Sequence, residues 1–135
     1  MRVLIADDSG VIVQRLVTML ADVGGIEIVG HAGTVAEASL AVRALKPDVV
    51  ILDMHMPGGS GIDVLESMKR DRVTPIVIVL TNYPYPQYRK KCLQRGARFF
   101  MDKSIEFERV GAVLSSLTRD ASSESEDRHD VSGRD

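Results

Sequence analysis

Five polar side chains stand where short apolar segments of the chain end. Two acids follow the first segment, one acid follows a second, a hydroxyl follows a third, and an ammonium group follows a fourth. Uninterrupted Val, Ile and Leu segments are typical of buried parallel strands, whose carboxyl ends meet at one edge of a sheet. The sequence therefore predicts one site at that edge, built from Asp7, Asp8, Asp53, Thr81 and Lys103.

The residue types predict phosphoryl-transfer chemistry at this site. Adjacent Asp7 and Asp8 beside a third carboxylate repel one another unless a cation neutralises them, and oxygen ligands with room for water suit Mg²⁺. Asp53 is then free to attack phosphorus as a carboxylate nucleophile and to form an acyl phosphate. Lys103 can neutralise one phosphoryl oxygen and the Thr81 hydroxyl can bind another, which is the positioning and charge cancellation that phosphoryl transfer needs.

The elements that must position these residues alternate along the chain. Five strand-like segments and five helix-like segments predict a parallel sheet covered by helices on both faces. Thr34 and Glu37 form a predicted capping box, Ser60 is a predicted N-cap, and Gly96 is a predicted C-terminal glycine. The spacing of apolar residues predicts a second strand over 26–30 and helices over 10–22, from 34 to about 45, from about 60, over 86–95 and over 105–118.

Composition and charge predict a single domain followed by a tail. A chain of 135 residues fits one domain, and the polar, Ser-rich tail at 119–135 is expected to be disordered. Residues 120–135 hold six acids against two arginines, a net charge of −4, whereas the whole chain has −2. The apolar segments of about six residues are too short to span a membrane, and the single cysteine, Cys92, fits the reducing cytoplasm.

The site residues also carry a resemblance to a known family. In order, spacing and strand context they resemble the receiver domain of two-component response regulators, over about residues 1–118. The match rests on Asp7-Asp8, on Asp-Met-His-Met-Pro-Gly-Gly-Ser-Gly at 53–61, on Thr81 and on Lys103. The resemblance implies a flavodoxin-like, doubly wound (βα)5 fold with a five-stranded parallel sheet in the order 2-1-3-4-5.

The resemblance further implies a role for each site residue. Asp53 would accept a phosphoryl group from the phosphohistidine of a histidine kinase or phosphotransfer protein. Asp8, Asp53 and the main-chain carbonyl of His55 would hold Mg²⁺, with Asp7 in the outer shell. Thr81 and the aromatic Phe100, three residues before Lys103, would form a switch between two packings of the surface made by helix 4, strand 5 and helix 5.

Several residues depart from the common family pattern. Ser104 stands where many receivers have a proline joined by a cis peptide bond, and a cis bond before any other residue costs ~3 kcal/mol. Phe100 lacks the hydroxyl of the commoner tyrosine, and Asn82 narrows access where the family prefers a very small residue. His55 and Tyr83 are predicted to shield or order the water that removes the phosphoryl group.

The predicted function is a phosphorylation-controlled switch that catalyses only its own phosphotransfer and dephosphorylation. Its partners would be the kinase, an output protein and a second copy of the chain, with no nucleic acid or membrane bound directly. The predicted output surface includes Tyr88, Lys91, Gln94 and Arg98, with an apolar patch at Phe99, Tyr85 and Tyr88.

Two alternatives remain open from the sequence. One is a receiver-like scaffold that binds partners without phosphorylation. The other is an aspartate-nucleophile phosphatase of the haloacid-dehalogenase type. The second is disfavoured because that family has an acid two residues after its nucleophile, where this chain has His55, and because the chain has no room for a substrate-capping domain.

Overall fold

A five-stranded parallel sheet forms the centre of the molecule in a computed structural model, which describes residues 1–120. We number its strands in chain order, and they lie side by side in the order β2-β1-β3-β4-β5. Their bounds are Arg2–Ala6 (β1), Glu27–Ala32 (β2), Val49–Leu52 (β3), Ile76–Thr81 (β4) and Phe99–Asp102 (β5). The flavodoxin-like order predicted for the sheet is confirmed.

Five helices connect and cover the strands. They span Gly10–Leu20 (α1), Val35–Leu45 (α2), Gly61–Arg70 (α3), Pro86–Gln94 (α4) and residues 109–120 (α5). A hairpin of His55–Met56 with Gly59–Ser60 lies between β3 and α3. Within residues 1–120, no helix has the length and apolarity that crossing a bilayer requires.

The sheet separates two apolar cores because alternate strand residues point to opposite faces. Leu4, Val50 and Val79 point toward α2, α3 and α4, while Ile5, Ile51 and Ile78 point toward α1 and α5. All six side chains are buried. These strands are therefore apolar from Val3 to Ala6 in β1, from Val49 to Leu52 in β3 and from Ile76 to Leu80 in β4, as expected for strands covered on both faces.

Helix α4 is attached to the first of these cores by few side chains. Cys92 is its only buried residue, Tyr88 is half-buried, and the Cys92 Sγ lies 3.2 Å from the Sδ of Met54, the residue after Asp53. Burial raises the pKa of the Cys92 thiol to about 11. The single cysteine is thus a buried core thiol.

The helix-start residues behave largely as predicted. The Ser60 hydroxyl accepts the N–H of Ile62 while Asp63 accepts the N–H of Ser60, which completes a capping box at α3. At α2, Thr34 accepts the N–H of Glu37 at 3.1 Å.

The other predicted cap residues are Glu37 at the start of α2 and Gly96 after the end of α4. The Glu37 carboxylate accepts the N–H of Gly33 rather than that of Thr34. The predicted capping box at α2 therefore keeps its hydrogen bond to Thr34 Oγ1, while its return hydrogen bond comes from the residue before Thr34. Gly96 has φ +102° just after α4, which confirms it as the glycine that ends this helix.

Three predicted boundaries were wrong by a few residues. Helix α1 ends at Leu20 rather than 22, where the Leu20 carbonyl accepts the N–H of Val23 in a turn. Strand β2 runs on to Ala32 rather than stopping at 30, because Ala6 of β1 still has Ala32 as its partner.

Helix α5 begins at 109 instead of 105 because a turn comes first. There the Asp102 carbonyl accepts the N–H of Glu106 and the Glu106 carboxylate accepts the N–H of Asp102. At its other end α5 continues through Arg119 and Asp120, and the rest of the predicted tail lies outside the described residues.

Candidate functional site

The carboxyl ends of β1, β3, β4 and β5 bring the five predicted site residues to one edge of the sheet. Asp7 and Asp8 follow β1, Asp53 follows β3, Thr81 ends β4 and Lys103 follows β5. Backbone hydrogen bonds fix this register: Asp7 N–H donates to Ala32 and Asp53 N–H donates to Ala6, at 2.9 and 2.8 Å. The predicted gathering of these residues is confirmed.

Lys103 is the cation that joins the buried acids. Its Nζ lies 2.8 Å from Asp7 Oδ2 and 3.5 Å from Asp53 Oδ2, and all three side chains are at least nine-tenths buried. The Asp7 Oδ1 accepts the N–H of Ser9 at 2.8 Å. The ammonium group therefore stands beside the carboxylate of Asp53, with its shorter contact to Asp7.

Asp53 is held in an environment that disfavours its charge. Burial raises the pKa of the Asp53 carboxyl above its usual value, and repulsion from Asp7 adds to this rise. Lys103 acts in the opposite direction, together with the N–H of His55, which donates to Asp53 Oδ1 at 3.4 Å. A further cation beside Asp53 would lower the free energy of the ionised form.

The acids could hold such a cation. Asp7, Asp8 and Asp53 each offer a carboxylate oxygen, and these oxygens all lie within 4.8 Å of one another. Asp8 is exposed while the other two acids are buried. A metal ion would therefore meet solvent on the side of Asp8 and protein on the side of Asp53.

A close backbone approach fixes the loop that follows Asp53. A Cβ placed on Gly61 would lie 2.7 Å from the Asp53 carbonyl oxygen, so the first residue of α3 has room only for hydrogen. Gly58 and Gly59 have φ +92° and +147°, which glycine adopts readily. The glycines of the segment 53–61 therefore determine the conformation of the loop between β3 and α3, which places His55 beside Asp53.

The two predicted switch residues are both buried. Thr81 is fully buried, and its Oγ1 accepts the N–H of Tyr83 at 2.9 Å. Phe100 is 7% exposed and packs in the same core as Cys92. Tyr88 is half-buried and packs against that core. The Thr81 hydroxyl thus holds the loop before α4, and the Phe100 ring points inward.

Comparison with known proteins decides the family. Residues 3–115 match the family model of the response regulator receiver domain. The chain belongs to this family.

Similar proteins agree with this assignment. The chain is 34% identical over 102 residues to the response regulator GacA of Pseudomonas viridiflava, covering 76% of this chain and 48% of GacA. It is 43% identical over 112 residues to protein-glutamate methylesterase/protein-glutamine glutaminase 2 of Xanthomonas oryzae pv. oryzae, covering 83% of this chain and 27% of that protein. The chain therefore spans about half the length of the first relative and about a quarter of the second.

A solved structure shares the fold of this receiver. It is a chain of the CheX–CheY–BeF3–Mg²⁺ complex from Borrelia burgdorferi, with a TM-score of 0.72 and 30% sequence identity. The match covers 84% of this receiver and 89% of that chain. The whole domain, rather than the site alone, is therefore similar to known receivers.

An aromatic row borders the site of this receiver. The ring centroids of His55 and Tyr83 are 4.2 Å apart in an edge-on arrangement, and those of His55 and Tyr88 are 6.0 Å apart. Tyr85 joins Tyr83 and Tyr88 at 6.4 and 5.8 Å. The structure thus places in contact His55 and Tyr83, the pair that the sequence predicts to shield or order water, and leaves Asn82 beside Tyr83 exposed.

Sequence reasoning missed that this row is continuous. Tyr85 and Tyr88 were assigned to an output patch rather than to the surroundings of the site. The spacing of Tyr83, Tyr85 and Tyr88 was a usable signal, because the first turn of a helix places a residue back over the loop that precedes it.

The predicted output residues lie mostly on the surface of α4 and β5. Lys91, Gln94 and Arg98 are exposed, while Tyr88 and Phe99 are half-buried. Arg98 lies with its guanidinium carbon 5.9 Å from the centre of the Phe99 ring. These side chains are accessible to a partner, as the prediction requires.

The segment after Lys103 has an ordinary backbone. The Lys103–Ser104 peptide bond is trans. The N–H and hydroxyl of Ser104 donate to the Asp102 carboxylate at 2.9 and 2.6 Å and lower the pKa of that group. Ser104 therefore closes this turn with side-chain hydrogen bonds.

Proposed function

We propose that this receiver accepts a phosphoryl group on Asp53 and changes its affinity for an output protein as a result. The observation that carries the proposal is the buried Asp53 carboxylate, held between the ammonium group of Lys103 and two further acids. A carboxylate in this setting is a nucleophile whose charge is balanced on one side by a fixed cation.

The proposed donor is the phosphohistidine of a sensor histidine kinase or phosphotransfer protein. A carboxylate oxygen of Asp53 forms a bond to phosphorus while the bond from phosphorus to the imidazole nitrogen breaks, and the imidazole leaves with that electron pair. Lys103 neutralises a phosphoryl oxygen, and the Thr81 hydroxyl donates a hydrogen bond to another. Lys103 Nζ already lies 3.5 Å from the reacting carboxylate, whereas the Thr81 hydroxyl must turn toward the phosphoryl group from the end of β4.

Mg²⁺ is the proposed metal, held by Asp8, Asp53 and the main-chain carbonyl of His55. Two oxygens on opposite sides of Mg²⁺ lie about 4 Å apart, so carboxylate oxygens that lie within 4.8 Å of one another suit a single ion with one of the acids bound through water. Asp7 takes that outer position because Lys103 already holds it at 2.8 Å. When bound, the ion would supply positive charge to the phosphoryl oxygens. The similar Borrelia chain belongs to a complex that contains BeF3 and Mg²⁺, which supports Mg²⁺ as the metal.

The proposed switch begins at Thr81. Its Oγ1 currently accepts the N–H of Tyr83, and turning toward a phosphoryl oxygen ends that hydrogen bond. The loop before α4 is then released, and the space vacated by Thr81 is available to the Phe100 ring. Because Cys92 is the only fully buried residue of α4, a small gain in free energy at the phosphorylated site is enough to move the helix.

The surface that changes is made by α4, β5 and α5, which we propose as the binding site for the output protein or a second copy of the chain. His55 and Tyr83 are proposed to shield the phosphoryl group from water, because their rings contact each other beside the site. Exposed Asn82 is proposed to restrict access to the same group. No direct binding of nucleic acid or membrane is proposed.

The proposal is tested by intact-protein mass after incubation with Mg²⁺ and acetyl phosphate, beside Asp53→Asn. We expect one phosphoryl group on the wild type and none on the variant. Phosphorylated histidine kinases serve as a second set of donors, because Asn82 and Tyr83 narrow the entrance for small donors. Partner binding that persists in Asp53→Asn, without phosphorylation by either donor class, would instead support the unphosphorylated scaffold.

A further inference from the structure

The segment around α4 has an unusual charge. Residues 82–101 contain five Lys or Arg and no Asp or Glu, although the chain as a whole is slightly acidic. The five are Arg89, Lys90, Lys91, Arg95 and Arg98. We call this group, with Tyr85 and Tyr88, the α4 basic surface.

Most of the positive charge on this surface has no acidic partner among residues 1–120. Arg95 is paired with Glu66 at 3.0 Å. Arg89 donates to the Phe100 carbonyl at 3.4 Å, and neither it nor Lys90, Lys91 or Arg98 makes an ion pair within the described part of the chain. Four exposed charges of one sign on a helix and its flank attract an anionic ligand.

The end of α5 places the following residues at the same edge of the sheet as Arg98. Strand β5 begins at Phe99, so Arg98 lies at the amino edge of the sheet, and α4 ends at that edge. Helix α5 runs to the same edge, because the Thr118 Oγ1 lies 3.9 Å from the Met1 Sδ, just before β1. The chain beyond residue 120 therefore leaves from the edge to which Arg98 belongs.

The residues that follow α5 have the complementary charge. Residues 121–135 hold five acids and two arginines, and four of the acids fall within seven residues. These four are Glu124, Glu126, Asp127 and Asp130. Fifteen residues can extend about 50 Å, whereas the nine-residue α4 is only about 14 Å long.

We infer that residues 121–135 bind to the α4 basic surface of their own chain. A short tether gives the tail an effective concentration in the millimolar range, so a weak electrostatic contact is enough to keep the surface occupied for much of the time. The contact covers the surface that the proposed output protein would use, and an output protein must displace it. The inference itself needs no phosphorylation, because both charge groups are present in the unmodified chain.

The test is a spin label placed in the tail of the full chain. Ser125→Cys provides the labelling position, and a short exposure to the reagent leaves Cys92 unlabelled because that thiol is buried and reacts only when α4 opens. We expect amide signals of α4 and Arg98 to lose most of their intensity at low salt, while those of α2 keep most of theirs. Raising NaCl from about 0.01 M to about 1 M shortens the Debye length from about 30 to about 3 Å and should restore the lost intensity.

Matched charge variants identify the surface that is bound. Lys90→Gln with Lys91→Gln should restore most of the α4 signals at low salt. Lys69→Gln with Arg70→Gln removes the same charge from exposed positions at the end of α3 and should leave the broadening unchanged. Neutralising Glu124, Glu126 and Asp127 in the labelled chain should act like the α4 variant.

Three results would overturn the inference. The first is equal broadening over the whole surface, and the second is α4 broadening that none of the charge variants changes. The third is α4 broadening in unlabelled, isotopically enriched chains mixed with labelled ones, since that would assign the contact to a second copy. Mass and native gel mobility of each variant confirm that the intended charge was changed.

Discussion

Replacing Lys103 with Met should destabilise this receiver strongly in the absence of Mg²⁺. The ammonium group lies 2.8 and 3.5 Å from two buried carboxylates, which at an effective dielectric constant of about 20 corresponds to roughly 6 and 5 kcal/mol of attraction before desolvation is subtracted. Removing one partner of a buried ion pair costs about 3–5 kcal/mol net. We expect a loss of that size in the free energy of unfolding, measured by urea titration.

Mg²⁺ should recover much of this loss. Without Lys103 the three carboxylates have no fixed cation, so their affinity for Mg²⁺ should equal or exceed that of the wild type, and saturating Mg²⁺ should narrow the stability difference. Asp7→Asn combined with Lys103→Met removes one of the repelling acids and should be more stable than the single variant. Together with the free energy of Asp7→Asn alone, these values complete a double-mutant cycle for the Asp7–Lys103 contact.

Two results would contradict this account of the site. One is a loss of Mg²⁺ affinity in Lys103→Met as large as that in Asp8→Ala, since the lysine would then help to bind the metal. The other is a stability loss of less than about 1 kcal/mol without Mg²⁺, the range of an exposed ion pair.

Three further changes test the residues around Asp53. His55→Ala with Tyr83→Ala should shorten the half-life of the phosphorylated form, measured by the decay of the phosphoprotein mass, because the ring contact beside the site is lost. Asp53→Asn should be more stable than the wild type near pH 7 without Mg²⁺. Because the folded pKa of Asp53 is raised, the wild type gains stability as pH falls through that pKa, and urea titrations from pH 8 to 4 should show the difference shrinking. Gly61→Ala should lose about 1–3 kcal/mol from overpacking against the Asp53 carbonyl, while Gly10→Ala, with nothing within 4 Å of its Cβ, should not.

Each of these three predictions would be contradicted by a specific result. An unchanged phosphoryl half-life would remove His55 and Tyr83 from the control of dephosphorylation. A stability difference between wild type and Asp53→Asn that stays constant with pH would show that the charge of Asp53 is not disfavoured in the folded state. Equal stability of Gly61→Ala and Gly10→Ala would show that the loop after β3 can move away from α3.

The sequence was most informative where one physical requirement dominates. The strands ending at Ala6, Leu52 and Thr81 are buried on both faces, so their apolar runs predicted the sheet and the side chains at its carboxyl edge. Caps at Ser60 and Gly96 were also predictable, because a helix end needs specific local hydrogen bonds or a positive φ.

Features that depend on distant contacts were harder to predict. The start of α5 moved to 109 because Asp102 and Glu106 bond to each other across a turn, which the apolar spacing of that segment does not show. Lys103 was expected to serve the phosphoryl group, and its shorter contact to Asp7 follows from packing of two strand ends. The aromatic row likewise depends on how the hairpin and the loop before α4 approach each other.

The buried sulfur pair gives the molecule a native reporter of its own opening. Cys92 lies in the last turn of α4, with its Sγ 3.2 Å from the Sδ of Met54, and it has no exposed surface. A thiol reagent can reach Cys92 only when α4 moves away from the core, so the rate of thiol modification measures how often α4 opens. The chain can therefore be monitored for helix movement, before and after phosphorylation, without any engineered probe.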